Sequence, residues 1–289
     1  MGRVNRVIEL LGRGQPVYSS TIAEPSYERG REQARTWADC LILDLEHHPF
    51  APAALHAFMR GLVDGGPTAS GHRTPAVIVT LPTDGSSEEV VRANAWMIRQ
   101  ALAAGVHGLL LCHAETAAAV KAFVAAARYP FHKGGVGEGL DEGRRGAGGQ
   151  AGAAAIWGLS PAAYLDCADV WPLNPAGELL LGLKIENRRA LDNVEASTAV
   201  PGVAFAEWGP GDMGMAFGHK DAHDPPYPPA MTAARARIKA ACDRAGVAFL
   251  EMVRADDVID QIARGVKIGA ATPEAAEIGR RHTNRTLPW

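Results

Sequence analysis

Glu186 closes an apolar run, ELLLGLKIE (178–186), and Asp212 closes a second, GVAFAEWGPGD (202–212). Each run reads as a buried strand that ends in a carboxylate. The two acids lie 26 residues apart, the span of one β–α unit. Parallel strands one unit apart bring both carboxylates to one end of a sheet. There a hard divalent cation binds through oxygen and keeps positions open for water and substrate. Strand-end acids that are solvated, or that cap the next helix, give the same pattern. Glu207 competes for the second place, but Trp208-Gly-Pro-Gly separates it from Asp212, and it is expected to face the helix layer. The small residues of GPGD let the backbone at Gly211 and Asp212 approach an anionic ligand such as a carboxylate.

A third acid-bearing segment is LDLEHHP (43–49). Alternation puts Leu41, Leu43 and Leu45 on one face and Ile42, Asp44 and Glu46 on the other. Acids on the inner face near a strand's C-terminal end are what a barrel mouth presents. A histidine beside them is a candidate general acid or base, although a surface histidine after a strand is the more frequent case. Two adjacent histidines, His47 and His48, leave the assignment open. His113 ends another strand and is expected to reach the mouth, with a helix cap or solvent as its alternative. The loop HKDAHDPP (219–226) carries two histidines and two aspartates without regular ligand spacing, and reads as surface.

The elements that position these residues alternate. Strand-like runs fall at 17–23, 40–46, 76–82, 108–113, 179–186, 203–208, 247–253 and 266–270. Helical patterns fall at 4–13, 25–38, 51–64, 87–104, 115–128, 160–168, 188–199, 230–245, 255–264 and 273–281. Eight strands alternating with helices predict an α/β fold, a (β/α)8 TIM barrel, rather than a doubly wound open sheet. The chain of 289 residues suits one such domain, 1–289, with a C-terminal helical tail. Residues 131–153 hold nine glycines and almost no large apolar side chain, and are expected to form a mobile loop or lid. No GxGxxG opens a helix, so no dinucleotide cofactor is expected. Of the six tryptophans, Trp208 is expected to flank the site; Trp37, Trp96, Trp157, Trp171 and Trp289 read as packing.

A net charge of −3 without a basic block gives no reason to expect nucleic acid. No apolar run reaches membrane-helix length. Four separated cysteines without a CxxC pair suit reduced thiols. The N-terminus lacks the apolar core of a signal peptide. A cytoplasmic protein is expected.

LDLEHHP, KIEN and WGPGDM together resemble the HpcH/HpaI-type, metal-dependent pyruvate aldolases that act on 4-hydroxy-2-oxo acids. The resemblance runs from about residue 4 to 270, in the same strand order. It implies a divalent metal, Mg²⁺ or Mn²⁺ with Co²⁺ as a further candidate, held by Glu186 and Asp212. It implies that a 2-oxo acid chelates this metal, its carboxylate reaching amides near Gly211 and Asp212. It places the family's catalytic histidine on His47, which would move the proton at the C4 hydroxyl. The implied reaction is retro-aldol cleavage to pyruvate and an aldehyde, reversible through an enolate that the cation stabilises. It also implies a barrel of the phosphoenolpyruvate/pyruvate type and a homo-oligomer, a hexamer or a trimer.

Departures from the pattern matter as much. The family usually has Arg where Thr80 stands, and that Arg holds the enolate oxygen. It usually has Gln where Lys184 stands. Alternation points Lys184 inward beside Glu186, so it either replaces the missing positive charge or pairs structurally with Asp44 or Glu46. The Asp that often orients the family histidine falls on Ala103, leaving His47 to be oriented by His48, His113 or a neighbouring subunit. GRRGAGG (143–149) resembles the family's G-x-R-G-x-G, with its Arg at Arg145. Arg144 or Arg145 would hold a distal substrate carboxylate, or face solvent. FHKGGVGEGLDE (131–142) and WPLNPAG (171–177) resemble insertions. Three alternatives remain: an acyl-CoA-type carbon–carbon lyase, a Lys184 Schiff-base aldolase, and a non-catalytic oxo-acid-binding protein.

Overall fold

The computed structural model of the protein describes residues 2–286 and 288. Its strands are β1 (Val17–Ile22), β2 (Cys40–Asp44), β3 (Ala76–Asp84), β4 (Gly108–Cys112), β5 (Val170–Trp171), β6 (Leu179–Ile185), β7 (Phe205–Trp208), β8 (Ala248–Met252) and β9 (Ile268–Ala270). All pairings between them are parallel. Eight of the strands close on themselves in the order β1-β2-β3-β4-β6-β7-β8-β9, with β9 returning to β1. The expected barrel is therefore present. The two-residue β5 lies outside it, pairing with the start of β6 at Val170↔Leu179; sequence patterning does not expose so short a strand.

The barrel strands are apolar on both faces because both are covered. Leu41 and Leu43 pack outward with Val77, Val79, Leu109, Leu111, Leu181 and Leu183 against the helices. Cys40, Ile42, Ile78, Leu110, Leu180, Phe205 and Leu250 fill the barrel interior. Val7, Ile8 and Leu10, from the helix Arg6–Gly12, join that inner cluster and close the N-terminal end. Gly182 is required there: a Cβ would stand 2.1 Å from Cζ of Phe205. Glu178 sits at this closed end, not at the mouth, and accepts the Asn5 amide at 2.9 Å.

Several helices are shorter or more divided than their hydrophobic periodicity suggests. The pattern at 87–104 forms two helices, Glu88–Ala93 and Ala95–Ala103, broken at Asn94, whose side chain donates back to the Val90 carbonyl. The pattern at 188–199 breaks likewise at Asn193. At both points an amide side chain competes with the helix backbone. The segment 25–38 is helical only over Tyr27–Gln33.

The glycine-rich segment is not a loose lid. Its end forms the helix Gln150–Trp157, Leu140 enters the core, and the Arg145 amide donates to the Arg128 carbonyl at 2.8 Å. Arg128 is the fastener. Its Nε donates to Asp169 at 2.7 Å and its Nη1 to the Gly134 carbonyl at 2.8 Å. Both charged side chains are at most 2% exposed. Burial pushes the Asp169 carboxyl up, but the Arg128 guanidinium outweighs it and holds the group below the usual carboxylate range. Removing one member of such a pair strands the other charge, so Arg128→Met is expected to cost about 3–5 kcal/mol in chemical denaturation. A change under about 1 kcal/mol would show the pair is not the fastener. Trp289 lies outside the described residues.

Candidate active site at the barrel mouth

Each residue at the mouth is set there by strand parity. On β6, Leu180, Gly182 and Lys184 point inward, and the chain then delivers Glu186 just past the strand end. Glu186 is fully buried. Its Oε1 accepts the backbone N–H of His113 at 2.9 Å. Its Oε2 makes no hydrogen bond and faces the Lys184 ammonium at 2.9 Å. Burial pushes the Glu186 carboxyl above the usual range, against the pull of Lys184.

Lys184 bridges two acids, its Nζ also donating to Glu46 Oε2 at 2.5 Å. Of the two structural partners expected for it, Asp44 and Glu46, the ion pair is with Glu46. Burial works against the ammonium, but Glu186, Glu207 and Glu46 outweigh it and hold the pKa well above the ordinary lysine value. The acids around it favour the protonated amine, a charge and a donor, over the free amine that a nucleophile needs.

Glu207 faces the barrel and not the helix layer. It pairs across the sheet with Lys184, one residue before Trp208. Trp208 takes the outward side, with its indole N–H donating to Glu251 and its ring edge-on to Tyr227. The expectations for these two residues are thus exchanged: Glu207 belongs to the mouth and Trp208 to the packing. The apolar neighbours of β7 leave its parity ambiguous in sequence. Burial raises the Glu207 pKa to about 7; Lys184 opposes this, while Glu186, Glu46 and Asp44 reinforce it. The stability Glu207 contributes is therefore fully present below the ordinary glutamate value of 4.5 and is lost as pH rises through about 7. Glu207→Gln is neutral throughout. In chelator it is expected to melt above the wild type at pH 8, the gap closing towards pH 4.5. An equal gap at both pH values would show that Glu207 does not titrate in this window.

On β2, Asp44 is inward and ends the strand. It organises the turn that follows by accepting the amides of Glu46 and His47 at 3.0 and 3.2 Å. Burial pushes its carboxyl up, but these amides and the His47 ring hold it below the usual range. The His47 Nδ1 stands 3.1 Å from Asp44 Oδ2. His47 is thus oriented by an acid of its own turn, three residues earlier, rather than by His48 or His113. An Nδ1–H given to Asp44 leaves Nε2 free to accept a proton, and the ring is exposed for that purpose.

His113 follows β4 with φ at +46°, a strained conformation for a non-glycine residue. Its ring lies between Glu46 Oε1 at 3.7 Å and Glu186 Oε1 at 3.6 Å. Asn187, of KIEN, caps the next helix and stands 3.3 Å from His113 Nδ1. Thr80 is buried on β3, paired with Asp44.

Asp212 and Gly211 lie in the first turn of the helix Pro210–Phe217. That helix begins against Glu186: a Cβ on Gly209 would come within 2.6 Å of Glu186 Oε2. Among the described residues, the tight groupings of possible metal ligands are Asp44/Glu46/His47 and Glu46/Cys112/Glu186, and Asp212 is in neither. Cys112 was not foreseen. Burial keeps its thiol well above the ordinary cysteine value, and a neutral thiol is a poor ligand for a hard cation. Glu186 Oε2, fully buried and met only by the Lys184 ammonium, is the feature that fits a cation, together with the hard carboxylates around it.

Arg145 is not brought to this mouth. Its guanidinium stacks 4.5 Å from the Tyr129 ring and donates to the Tyr164 hydroxyl at 2.6 Å.

Comparison with known proteins follows the same lines. The family model described as HpcH/HpaI aldolase/citrate lyase matches residues 30–272. A hydroxypyruvate/pyruvate aldolase of Paraburkholderia phytofirmans is 28% identical, over 81% of this chain and 77% of its own. A 2-keto-3-deoxy-L-rhamnonate aldolase of Klebsiella pneumoniae is 26% identical, over 90% and 85%. The crystal structure of an HpcH/HpaI aldolase/citrate lyase family protein from Burkholderia cenocepacia superposes with a TM-score of 0.72, at 24% identity and 98% coverage of both chains. A citrate lyase beta subunit from M. tuberculosis, complexed with oxaloacetate and magnesium, shares the fold at a TM-score of 0.53 and 16% identity, over 92% of this chain and 96% of its own.

Proposed function

The chain belongs to the HpcH/HpaI aldolase/citrate lyase family, a family of carbon–carbon lyases, and from that premise we propose that it cleaves a 4-hydroxy-2-oxo acid to pyruvate and an aldehyde. The observation that carries the reading is the buried Glu186 carboxylate, ringed by Lys184, His113 and Glu46. The relatives are named as a hydroxypyruvate/pyruvate aldolase and a 2-keto-3-deoxy-L-rhamnonate aldolase, which supports the reading.

Glu186 and Asp212 would hold the divalent metal, with Mg²⁺ or Mn²⁺ favoured over Co²⁺ because the donors are hard oxygens. When bound, the metal supplies Lewis acidity at the substrate's C2 carbonyl. The chain's own residues do the rest. His47 takes the proton of the C4 hydroxyl through Nε2 while Asp44 holds its ring. The C3–C4 bond then breaks, its electron pair passing towards C3 and the C2 oxygen, and the aldehyde departs. Lys184 provides a fixed positive charge for the oxygen that becomes negative. Protonation at C3 completes pyruvate. Thr80, which supplies no charge, lines the same wall, and the amides at Gly211 and Asp212 would meet the substrate carboxylate. His113 would bound the pocket on the β4 side. The resemblance, and not any contact in the chain, supports a cytoplasmic homo-oligomer.

The test is release of pyruvate from 4-hydroxy-2-oxo acids of varied chain length, followed by reduction with lactate dehydrogenase. Turnover that needs Mg²⁺ or Mn²⁺ and disappears with chelator is expected. Turnover unaffected by chelator, with borohydride trapping a covalent adduct at Lys184, would replace this reading by a Schiff-base aldolase.

A further inference from the structure

A cavity of about 390 Å³ lies at the closed end of the barrel, opposite the mouth. The helix Arg6–Gly12 and the residues before it, the loop 70–74 and residues 156–159 enclose it. That volume suits a small molecule. Most polar side chains on its wall are already spent. Arg3 donates to Glu178 and to the Gly177 carbonyl. Glu9 takes Arg6 and Arg13. Ser70 meets His72 at 2.9 Å, and the Trp157 indole N–H goes to the Gly105 carbonyl at 2.9 Å.

His107, Thr74 and Arg73 are left with capacity to spare. His107 and Thr74 are 1% and 3% exposed and stand just ahead of β4 and β3. The Val77 amide donates to His107 Nδ1 at 3.1 Å, so the ring proton sits on Nε2. The ring stacks on Trp157, and burial, reinforced by His72, pushes its pKa down to about 3. The Nε2–H is therefore a permanent donor, and nothing among the described residues accepts from it. The Thr74 hydroxyl likewise has no partner among them. A buried donor left unmet is costly. Arg73 is exposed at the rim and meets no carboxylate among the described residues. Gly158 lets its stem lie there: a Cβ would stand 2.8 Å from Arg73 Cδ. Between rim and floor the wall is apolar, made by Val4, Ile156, Leu159 and the Trp157 ring.

We propose that this cavity binds a small monocarboxylate with an apolar body and a hydrogen-bond acceptor at its far end. The carboxylate meets Arg73 at the rim, and the body packs on Ile156, Leu159 and Trp157. The acceptor takes the His107 Nε2–H, with the Thr74 hydroxyl on the same wall. One uncommitted cation, with Glu9 also lining the cavity, favours a single negative charge over two. No lining residue belongs to the mouth, so this ligand needs no metal and takes no part in the aldol step.

Isothermal titration of 4-acetylbenzoate into the full chain, in buffer with chelator, tests this. The probe carries the carboxylate, the apolar body and the acceptor, and lacks the 2-oxo acid grouping that a metal chelates. One molecule per chain is expected. 4-Ethylbenzoate, which keeps the shape without the acceptor, should bind at least about threefold more weakly. 4-Acetylbenzamide, which lacks the charge, should bind at least about tenfold more weakly. Arg73→Gln should weaken 4-acetylbenzoate by a similar factor, with the thermal midpoint unchanged because the side chain is exposed. Lys184→Gln should leave the affinity as in the wild type. No heat at millimolar 4-acetylbenzoate would overturn the proposal. So would equal affinity in Arg73→Gln, or a loss of affinity in Lys184→Gln, which would place the acid at the mouth. Equal binding of 4-ethylbenzoate would overturn the part given to His107, and equal binding of 4-acetylbenzamide the choice of an anion.

Discussion

Glu186→Ala is expected to reduce metal-stimulated exchange of deuterium into C3 of pyruvate to the level of the metal alone. The effect should be large because none of the neighbouring carboxylates, Glu46, Asp44 or Glu207, stands at the position of Glu186. Glu186 is buried, one oxygen is committed to the His113 amide, and the other meets only the Lys184 ammonium. Alanine removes both, and with them the anchor for a strained His113 backbone. Glu186→Gln separates the two losses. It keeps the shape and an acceptor for His113, so it should fold as the wild type, yet it offers the cation a neutral oxygen and should still lose nearly all exchange. Asp212→Ala is expected to behave likewise. If Glu186→Ala and Asp212→Ala both exchange at the wild-type rate, the assignment of these residues to the metal is wrong.

Lys184→Gln restores the residue that the family pattern usually carries and removes the one cation fixed between Glu46 and Glu186. If Lys184 steadies the developing negative oxygen, turnover should fall ~10²-fold or more, as when an oxyanion donor is lost. KM should move less than kcat, because the charge matters most where negative charge develops. Thr80→Arg in the same background is the complement. Thr80 is buried on the neighbouring inward wall, so an arginine there should recover much of the loss. Unchanged turnover in Lys184→Gln would leave Lys184 a structural ion pair only. Borohydride should trap nothing on the wild type, since the acids around this amine hold it protonated.

The barrel was legible because β/α alternation is a long-range pattern that survives errors at single boundaries. The parity of β2 was legible too: Leu41, Leu43 and Leu45 went to the helices, and Asp44 stayed inward. β7 was not, because Phe205, Ala206 and Trp208 are all apolar and give no alternation around Glu207. What orients His47 was missed for a different reason. Asp44 accepts from the turn's own backbone, and this bends the chain so that residues 44 and 47 meet; strand alternation says nothing of the turn that follows. Arg145 shows the limit of a motif. Its likeness to the family motif suggested substrate contact; within the single chain the fold stacks it on Tyr129 and Tyr164, two aromatics that no local pattern links to it. The glycine-rich stretch likewise looked unable to build structure, but Arg128, at the end of the preceding helical segment, fastens it through a buried pair with the distant Asp169.

The most direct measurement is proton exchange at C3 of pyruvate by the wild-type protein in deuterium oxide, followed by NMR with Mg²⁺ or Mn²⁺ and repeated after chelation. Exchange well above the metal-only background, abolished by chelator, is the result expected of a site that forms the pyruvate enolate. Exchange no faster than metal alone would contradict it, and would leave the mouth a place that binds an oxo acid without transforming it.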